Sequence, residues 1–577
     1  MDFKCTHIVL LILSVSTACV NSDSNDQLGG EYLTLTEAEL KGIVKPLPTD
    51  AAPAEDQVFR YLAYEPNSLD MTMLIYESGG SPFVHERLAL LNHEQELVPG
   101  AADSWEVSDD AKTWTFHIHP SSRWSDGRPL TAHDFEYSFK RMLDPDGGNV
   151  YAFFYYDIKG AKAYNQRKNP DPESVGIRAI DDLTLVIETE KACAYLPHIM
   201  QFPTSSPVPR WQVEKHGTRW TEAGKFVGSA VYTLGDWITG KYMSFELNPY
   251  YSGNNPTYIR KIIRVFNAST GTATAGSTMD VMAYDNNEID VAAVNPIELL
   301  RIKQDPRLKT ELWSFDQYTT FYLFFRTREP PFDDVRVRKA IAHAVDQVSF
   351  VNVNLHGLMV PAYTMLPQHF PGYVGDKYKD IQRFDPELAR KNLSEAGYPG
   401  GKGFPVIELW LGGSAPNSPQ AQACQAVQQM LKDNLGITIS IKNVEGATYR
   451  RNLNNWVMPM SLIGFNYDFP DPHSMLGIIW RSQPRGYARH DWQNVEFDAL
   501  IDQAAGEMDQ EKRMMLYDRA ERILAEDAGG VFLWNMLNYQ LRKPWVKGLL
   551  ANRWGQIPYY PNHTTFLEMY IGKEVDR

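Results

Sequence analysis

The residues that could do chemistry in this chain are mainly carboxylates, and none stands in a familiar catalytic spacing. The sequence has no G-x-S-x-G around a serine nucleophile, no H-E-x-x-H zinc motif and no C-x-x-C pair. His85-Glu86 begins like the zinc motif but has no second histidine four residues on. Scattered Asp and Glu residues could still form a catalytic pair, although no spacing singles one out. A secreted hydrolase therefore remains an alternative, and we expect no cofactor.

The most distinctive carboxylates, Asp468 and Asp471, lie in the segment GFNYDFPDP at residues 464–472. Its two prolines exclude a helix, and the apolar run at residues 458–463 predicts a strand that leads into it. A carboxylate away from water can pair with an ammonium group, and such a charge-assisted contact contributes roughly 1.5 to 3 kcal/mol. An Asp before a proline can instead simply organise a turn. We assign that structural role to Asp471.

Composition limits the class of protein. A chain of 577 residues is too long for one hydrophobic core, so two or three domains are expected. The balance of 56 basic against 71 acidic residues, a net charge of -15, argues against nucleic-acid binding. Beyond the first twenty residues, no apolar run approaches the length needed to span a bilayer.

The N-terminus has the composition of an export leader. Lys4 precedes an apolar run at residues 8–13, and small residues lead up to Cys19. Ser-Thr-Ala-Cys resembles the lipobox of bacterial lipoproteins, in which the cysteine is acylated. Ser16 stands where leucine is usual, so cleavage after Ala18 without lipidation is the alternative. We favour lipidation at Cys19.

Two cysteines lie beyond the leader region, Cys193 and Cys424. An oxidising compartment would permit a bridge between them, but nothing in the sequence shows that they pair. Cys424 shares an apolar helical stripe with Val427 and Leu431, which indicates a buried free thiol.

A strand, a turn and a capped helix are predicted between residues 99 and 145. Residues 114–119 alternate apolar and polar side chains, which is typical of a half-buried strand. Thr131 and Asp134 form a capping box for a helix whose apolar stripe contains Phe135, Phe139 and Met142.

Hairpins are predicted at residues 176–189, with Leu183, Leu185 and Ile187 pointing inward, and at residues 228–252. Three helices should begin after the caps Asp334, Asp385 and Ser418, and the last two should end at Gly397 and Gly436. In the first, the apolar stripe is Val337, Ile341, Ala344 and Val348, and the solvated face is Arg336, Arg338 and Lys339. A strand at residues 437–441 follows, and this alternation favours an α/β lobe.

The chain resembles the family 5 extracytoplasmic solute-binding proteins, the oligopeptide and dipeptide receptors of bacterial ABC importers, and most closely their oligopeptide-binding and murein peptide-binding type. The resemblance runs from about residue 58 to the end. It is carried by PGAADSW, WTFHIH, WSDG and LTAHDFEYSFKR within residues 99–145, by E-P-x-S-L-D at 65–70, and by the segment at 464–472.

The resemblance implies an α/β, periplasmic-binding-protein-like fold (type II, cluster C), with two lobes, a hinge and an extra domain. The implied divisions are a signal peptide at 1–18, a lipid-anchor tether at 19–53, lobe I at 54–86, 213–318 and 537–577, an extra domain II at 87–212, and lobe III at 319–536.

The resemblance also implies a peptide site. The first aspartate of the family's G-[WF]-x-x-D-x-x-[DE]-P segment pairs with the ligand's α-ammonium, and this register selects Asp468. Two departures occur: Leu462 replaces an arginine that some relatives use at the peptide's carboxyl end, and Asn466 replaces a bridged cysteine. The amino end of a peptide is therefore better supported than its carboxyl end. The other implied contacts are Phe465, Tyr322 and Trp534 as aromatic neighbours and Met73, Leu74 and Ile75 as a backbone edge.

The implied function is capture of an extended oligopeptide between two lobes and its delivery to an inner-membrane ABC permease with ATPase subunits. The expected location is the periplasm or the outer face of the cell envelope, with a lipid anchor as the only membrane contact and a monomer as the oligomeric state. Alternatives are the same fold with a nickel complex, haem or an oligosaccharide as ligand, and a signalling or folding role.

Overall fold

The structure is a computed structural model that describes residues 40–73, 83–266, 278–416, 418–485, 489–557 and 564–573. The chain divides into a unit of residues 1–41 and a compact unit of residues 42–577, and everything below concerns the second unit. Cys19, Leu74 and Ile75 lie outside the described residues. Within the described ranges, no helix is both long enough and apolar enough to cross a bilayer.

Strands and helices alternate along most of the described chain. The strands are β1 (Val58–Ala63), β2 (Ala89–Leu91), β3 (Leu97–Pro99), β4 (Ala102–Val107), β5 (Thr113–Ile118), β6 (Ile177–Ala179), β7 (Thr184–Glu188), β8 (Tyr232–Ile238), β9 (Tyr242–Leu247), β10 (Lys261–Phe266), β11 (Val291–Ala293), β12 (Leu312–Phe325), β13 (Val360–Pro361), β14 (Ile407–Gly412), β15 (Ile439–Val444), β16 (Met460–Asn466), β17 (Gly530–Arg542), β18 (Val546–Lys547) and β19 (Tyr570–Ile571). The helices are α1 (Ala132–Met142), α2 (Ala161–Asn165), α3 (Leu196–Ile199), α4 (Arg210–His216), α5 (Thr278–Asp285), α6 (Pro296–Gln304), α7 (Leu308–Glu311), α8 (Val335–Ala344), α9 (Gln347–Ser349), α10 (Pro386–Glu395), α11 (Pro419–Leu435), α12 (Gly446–Asn454), α13 (Ile478–Trp480), α14 (Val495–Gly506) and α15 (Gln510–Glu526).

One mixed sheet runs through most of the molecule, in the order β15-β14-β16-β12-β17-β11-β1-β10-β9-β8. Its two long strands, β12 and β17, are antiparallel neighbours at the centre. One end of β12 pairs with β16, whereas the opposite end of the β12–β17 pair lies beside β11. The two halves of the sheet are thus joined by these two strands, and the pairing of β12 with β17 shifts register between Asp316 and Thr320.

Separate apolar cores cover the sheet and a smaller neighbouring sheet. In the half that contains β14 to β16, one face packs against α8, α10 and α11, and the other against α14 and α15. The other half has its own clusters on β1, β8 to β11 and their surroundings. A four-stranded sheet of order β4-β5-β7-β6 packs with α1 around a further core. The described residues of this unit therefore contain several apolar clusters, and the division into domains stays a prediction.

Many local sequence predictions are confirmed. Strand β5 buries alternate residues, and the capping box of Thr131 and Asp134 begins α1. Asp385 and Ser418 cap α10 and α11, and Gly436 ends α11 in a left-handed conformation with φ of 71°. Strands β14 and β15 pair in parallel across α11, which confirms the predicted α/β alternation. Cys193 and Cys424 are both buried free thiols.

Three local predictions are wrong, two because an element begins or ends elsewhere and one because of tertiary packing. Leu183 is 39% exposed, since it lies in the turn before β7 and not within the strand. Helix α8 ends at Ala344, so Val348 falls outside the stripe and is exposed. Arg338 is buried, with its guanidinium 3.1 Å from the Asp527 carboxylate, because the end of α15 packs over that face of α8.

The stretch before β1 is already part of the folded body. The Ala52 N–H donates to the Ile571 carbonyl at 2.8 Å, and the Lys573 N–H donates to the Asp50 carbonyl at 2.9 Å. Ile43 and Ala52 are buried in the core beneath β1. The sequence predicts a tether up to residue 53 and does not predict these contacts, because they depend on the C-terminal strand β19.

Candidate ligand-binding site

Strand β16 leads directly into the irregular segment that contains Asp468. The strand is paired on both edges, with β12 antiparallel and with β14 parallel, so its direction is fixed by the sheet. Pro470 and Pro472 prevent a regular helix until a turn of π-helix begins at His473. The Asp468 N–H donates to the Ser474 hydroxyl at 3.0 Å, which holds the loop back against that turn.

The Asp468 side chain is half-buried and lacks a close cationic partner. Within the described parts of the chain, no side chain forms an ion pair or hydrogen bond with its carboxylate. Burial raises the pKa of this carboxyl to about 7, and the positive charge of Arg489 lowers it only in part. A carboxylate in such a position is stabilised by any ammonium group that reaches it.

Asp471, three residues on, is fully engaged within the protein. Its carboxylate accepts the His473 N–H at 2.9 Å and lies 2.6 Å from the guanidinium of Arg513, and both side chains of this ion pair are almost completely buried. Burial opposes ionisation, but Arg513 and the neighbouring groups hold the pKa of Asp471 below its ordinary value. The predicted structural role of Asp471 in the turn is therefore confirmed.

Phe465 and Tyr322 lie on the same face of the sheet. Phe465 is near the end of β16, the strand that leads to Asp468. Phe465 pairs with Thr320 across β16 and β12, and both aromatic side chains belong to the cluster under α14 and α15. Tyr322 is completely buried, with its ring centroid 5.2 Å from that of Trp480. Their contact with a ligand stays a prediction.

Trp534 lies on the opposite face of the sheet. Its ring stacks on Phe321 with centroids 4.5 Å apart, and successive strand residues such as Phe321 and Tyr322 point to opposite faces. A Cβ at Gly464 would lie 2.7 Å from the Phe321 ring, so only glycine allows β16 to approach so closely. Trp534 thus supports β16 from behind, and the structure does not bring it together with Phe465 and Tyr322.

Met73, the one described residue of the predicted backbone edge, lies in a different concave region. It lines a cavity of about 840 Å³ together with side chains from residues 65–70 and 218–223. None of the other predicted site residues in the described chain lines this cavity. The edge formed with Leu74 and Ile75 therefore stays a prediction.

Sequence reasoning missed two features of the site. Arg489 places its guanidinium 4.8 Å from the centre of the Phe465 ring, although it lies 24 residues from Phe465 in sequence and belongs to no motif. Phe469 is buried against residues of the four-stranded sheet region, with its ring centroid 6.0 Å from that of Tyr195. The apolar Phe469 between Asp468 and Pro470 was the only signal of the second feature.

This second contact joins two distant parts of the chain. The Tyr195 ring also stacks on His473 at 3.9 Å, and the Ala194 N–H donates to the Ala505 carbonyl at 2.7 Å. The segment after β16 is therefore held between α14 and the region around α3. Among the described residues, no group of three or more His, Cys, Asp or Glu side chains is placed to hold a metal ion.

Solved structures share this architecture. The murein tripeptide binding protein MppA of Escherichia coli superposes with a TM-score of 0.73 at 27% identity, over 91% of this chain and 100% of that one. The Haemophilus influenzae OppA complex with the peptide RPPGFSPFR gives a TM-score of 0.69 at 26% identity, over 90% and 99% of the two chains. The fold is that of the type II periplasmic binding proteins, as the sequence predicted.

Sequence comparison shows which family of binding proteins with this fold the chain belongs to. The periplasmic oligopeptide-binding protein OppA of Escherichia coli K12 is 30% identical over 512 residues, which cover 87% of this chain and 91% of that protein. The model for bacterial extracellular solute-binding proteins, family 5 Middle, matches residues 96–487. The chain belongs to this family of solute-binding proteins, which confirms the resemblance seen in its motifs.

Proposed function

We propose that this protein captures extended peptides by their free amino end and delivers them to an inner-membrane ABC permease with its ATPase subunits. The observation that carries the proposal is the Asp468 carboxylate, half-buried at the end of β16 without a close cationic partner in the described chain. A peptide's α-ammonium supplies the missing charge. The similarity to peptide-binding relatives supports peptides as the ligand class.

In this proposal, lobe I, domain II and lobe III have the boundaries predicted from the sequence, and the lobes close on the ligand like a clamp. An extended peptide lies between the lobes, where main-chain hydrogen bonds give affinity that does not depend on sequence. β12 and β17 are the strands that join the two halves of the sheet, and the register shift beside Thr320 gives the pair a place to bend. Closure about these strands presents the loaded form to the permease.

The cellular setting follows from the same proposal. The protein acts as a binding protein and not as an enzyme, as a monomer in the periplasm or on the outer face of the envelope. Acylation of Cys19 anchors it, and this lipid is its only contact with the membrane. The excess of acidic residues supports a partner other than nucleic acid.

The decisive experiment replaces Asp468 by Asn and measures peptide affinity by calorimetry. A tripeptide amide with a free amino end should bind the variant about 10 to 100 times more weakly, because each tenfold change corresponds to about 1.4 kcal/mol and a charge-assisted contact contributes roughly 1.5 to 3 kcal/mol. The acetylated tripeptide should bind wild type and variant equally. Asp109→Asn, at an exposed carboxylate, is the matched control.

Two outcomes would contradict the proposal. Equal affinity of the free-amino peptide for wild type and Asp468→Asn would remove Asp468 from the site. Mass spectrometry that finds a sugar, haem or a nickel complex in the purified protein, or the peptide cleaved after incubation, would assign the fold to another ligand or to hydrolysis.

A further inference from the structure

Tyr318 has a backbone conformation that is unusual for an aromatic residue. Its φ is 54°, in the left-handed region, and its side chain is only 2% exposed. A bulky residue in this region is strained, and such strain persists only where the surrounding contacts enforce it, which occurs often at ligand-binding sites. Tyr318 lies between Asp316 and Thr320, at the register shift of β12 against β17.

The Tyr318 backbone connects β12 to the segment that contains Asp468. The pairing of β12 with β16 ends at Thr319 and Asn466, where the Thr319 hydroxyl donates to the side-chain oxygen of Asn466 at 3.0 Å. The Tyr318 carbonyl then accepts the Tyr467 N–H at 3.3 Å. A backbone hydrogen bond from the strained residue therefore reaches the residue directly before Asp468.

The Tyr318 ring makes the same connection through side chains. We call Tyr318, Phe370 and Tyr467 the aromatic trio. The ring centroid of Tyr318 lies 5.3 Å from that of Tyr467 and 5.4 Å from that of Phe370, and the latter two are 5.6 Å apart. All three pairs are edge-to-face, which is a preferred geometry of aromatic rings. Because each ring contacts both others, Tyr467 cannot shift without disturbing the whole trio.

The segment that carries Phe370 is held in place by Asp316. The Asp316 carboxylate is 3% exposed, accepts the Gln368 side-chain N–H at 2.7 Å and lies 2.6 Å from Nδ1 of His369. His369 also has a left-handed backbone, with φ of 61°, and its ring stacks on Trp554 with centroids 4.8 Å apart. The trio therefore has a fixed support of its own beside β12.

The position of Asp468 depends on this support. The Asp468 N–H is held by the Ser474 hydroxyl at 3.0 Å, and the N–H one residue earlier is held by the Tyr318 carbonyl. Two consecutive backbone groups are thus fixed by different parts of the chain. Such fixation suits a binding group, because a side chain that recognises a ligand has to be held within about 0.5 Å of its productive position.

We propose that Tyr318 is a positioning residue for the amino end of the ligand, since its left-handed backbone and its ring fix Tyr467 and thereby the Asp468 carboxylate. This rests on the proposed function and adds the residue that sets selectivity for a free amino end. Tyr318 acts through Tyr467 and needs no contact with the ligand itself.

The selectivity ratio tests this by calorimetry. It is the Kd of an acetylated tripeptide amide divided by the Kd of the same tripeptide amide with a free amino end, and wild type should show about 10 to 100. Tyr318→Val removes the ring and disfavours the left-handed backbone, so the ratio should fall by about three- to tenfold. Tyr318→Phe keeps the ring and should keep the ratio. Tyr318→Gly keeps only the backbone conformation and should give an intermediate ratio.

Phe324→Val is the matched control. Phe324 is a buried ring of the same strand and the same apolar cluster, but it pairs with Ser461, seven residues before Asp468. The ratio should therefore stay at the wild-type value, and a ratio within one variant cancels any general loss of folded protein.

Three results would overturn the inference: a wild-type ratio in Tyr318→Val, an equal fall of the ratio in Phe324→Val, or an equal fall in Tyr318→Phe. If one of these occurs while Asp468→Asn still lowers the ratio, the proposed function stands and only the role of Tyr318 fails. A ratio near one in wild type contradicts both proposals.

Discussion

At the scale of single residues, the surroundings of the half-buried Asp468 carboxylate disfavour its ionised form when no ligand is present. Two aspartates three residues apart differ in their partners. The Asp471 carboxylate forms an ion pair with Arg513, whereas the Asp468 carboxylate has no such partner in the described chain and burial raises its pKa to about 7. A charged group held without its partner destabilises the folded state, and functional sites commonly carry such a penalty.

Replacing this carboxylate should therefore stabilise the ligand-free protein, but only where the carboxylate is ionised. The folded pKa lies above the ordinary value of 3.8, so the folded state binds more protons than the unfolded state, and stability is lost as pH rises from about 4 to about 7. Asp468→Asn should raise the free energy of unfolding by about 1 to 3 kcal/mol at about pH 8 and by little at about pH 4. Urea unfolding at both pH values measures this. A less stable Asn variant at the higher pH would show that the carboxylate has a stabilising partner.

At the scale of elements, β16 owes its position to what lies behind it. Gly464 rests against the Phe321 ring, and Phe321 in turn stacks on Trp534 of β17. These contacts fix the positions of the adjacent strands β16, β12 and β17 relative to one another at one point. The glycine at the start of the family motif, Gly464, is therefore explained by packing, because a side chain there would collide with the Phe321 ring.

Alanine at position 464 should destabilise the fold. The added methyl group would have to displace the stacked rings, and overpacking of this kind typically costs about 1 to 3 kcal/mol. Gly446→Ala is the matched control, because a Cβ there meets no atom within 4 Å and the residue begins α12. Thermal unfolding of both variants gives the comparison. Equal melting temperatures for the two would mean that β16 can shift away from Phe321 freely.

Elements were predictable from sequence where their signals are local. The caps at Asp385 and Ser418 and the alternation in β5 are read within a few residues, and each is found as expected. Arg338 was misplaced because its partner Asp527 lies 189 residues away in sequence. Arg489 was missed for the same reason. The family register located Asp468, but only the fold shows that it lacks a close cationic partner.

At the scale of the whole molecule, the loop that contains Asp468 touches two parts of the chain that the sequence assigns to different domains. Phe469 and His473 pack on Tyr195 of the predicted domain II, while Asp471 is tied to α15 of the predicted lobe III. The proposed ligand contact at Asp468 and the contact between these predicted domains therefore lie on one short segment, so we expect the two to be coupled.

Peptide binding should consequently protect the domain II side of this contact. Hydrogen exchange of the peptide segment around Ala194, whose N–H donates to Ala505, should slow on addition of a free-amino peptide, because closure holds the two domains together. Strand β5, inside domain II, is the internal control and should not change. Unaltered exchange around Ala194 would mean that domain II and lobe III already move as one body without ligand.

The pairing of residues 50–52 with residues 571–573 places a segment near the beginning of the described body beside its end. A short linker between these points would join the chain into a ring, so new termini could be opened on an exposed turn elsewhere. A fluorophore pair introduced at such an opening would then report the movement of the halves from a position remote from the envelope.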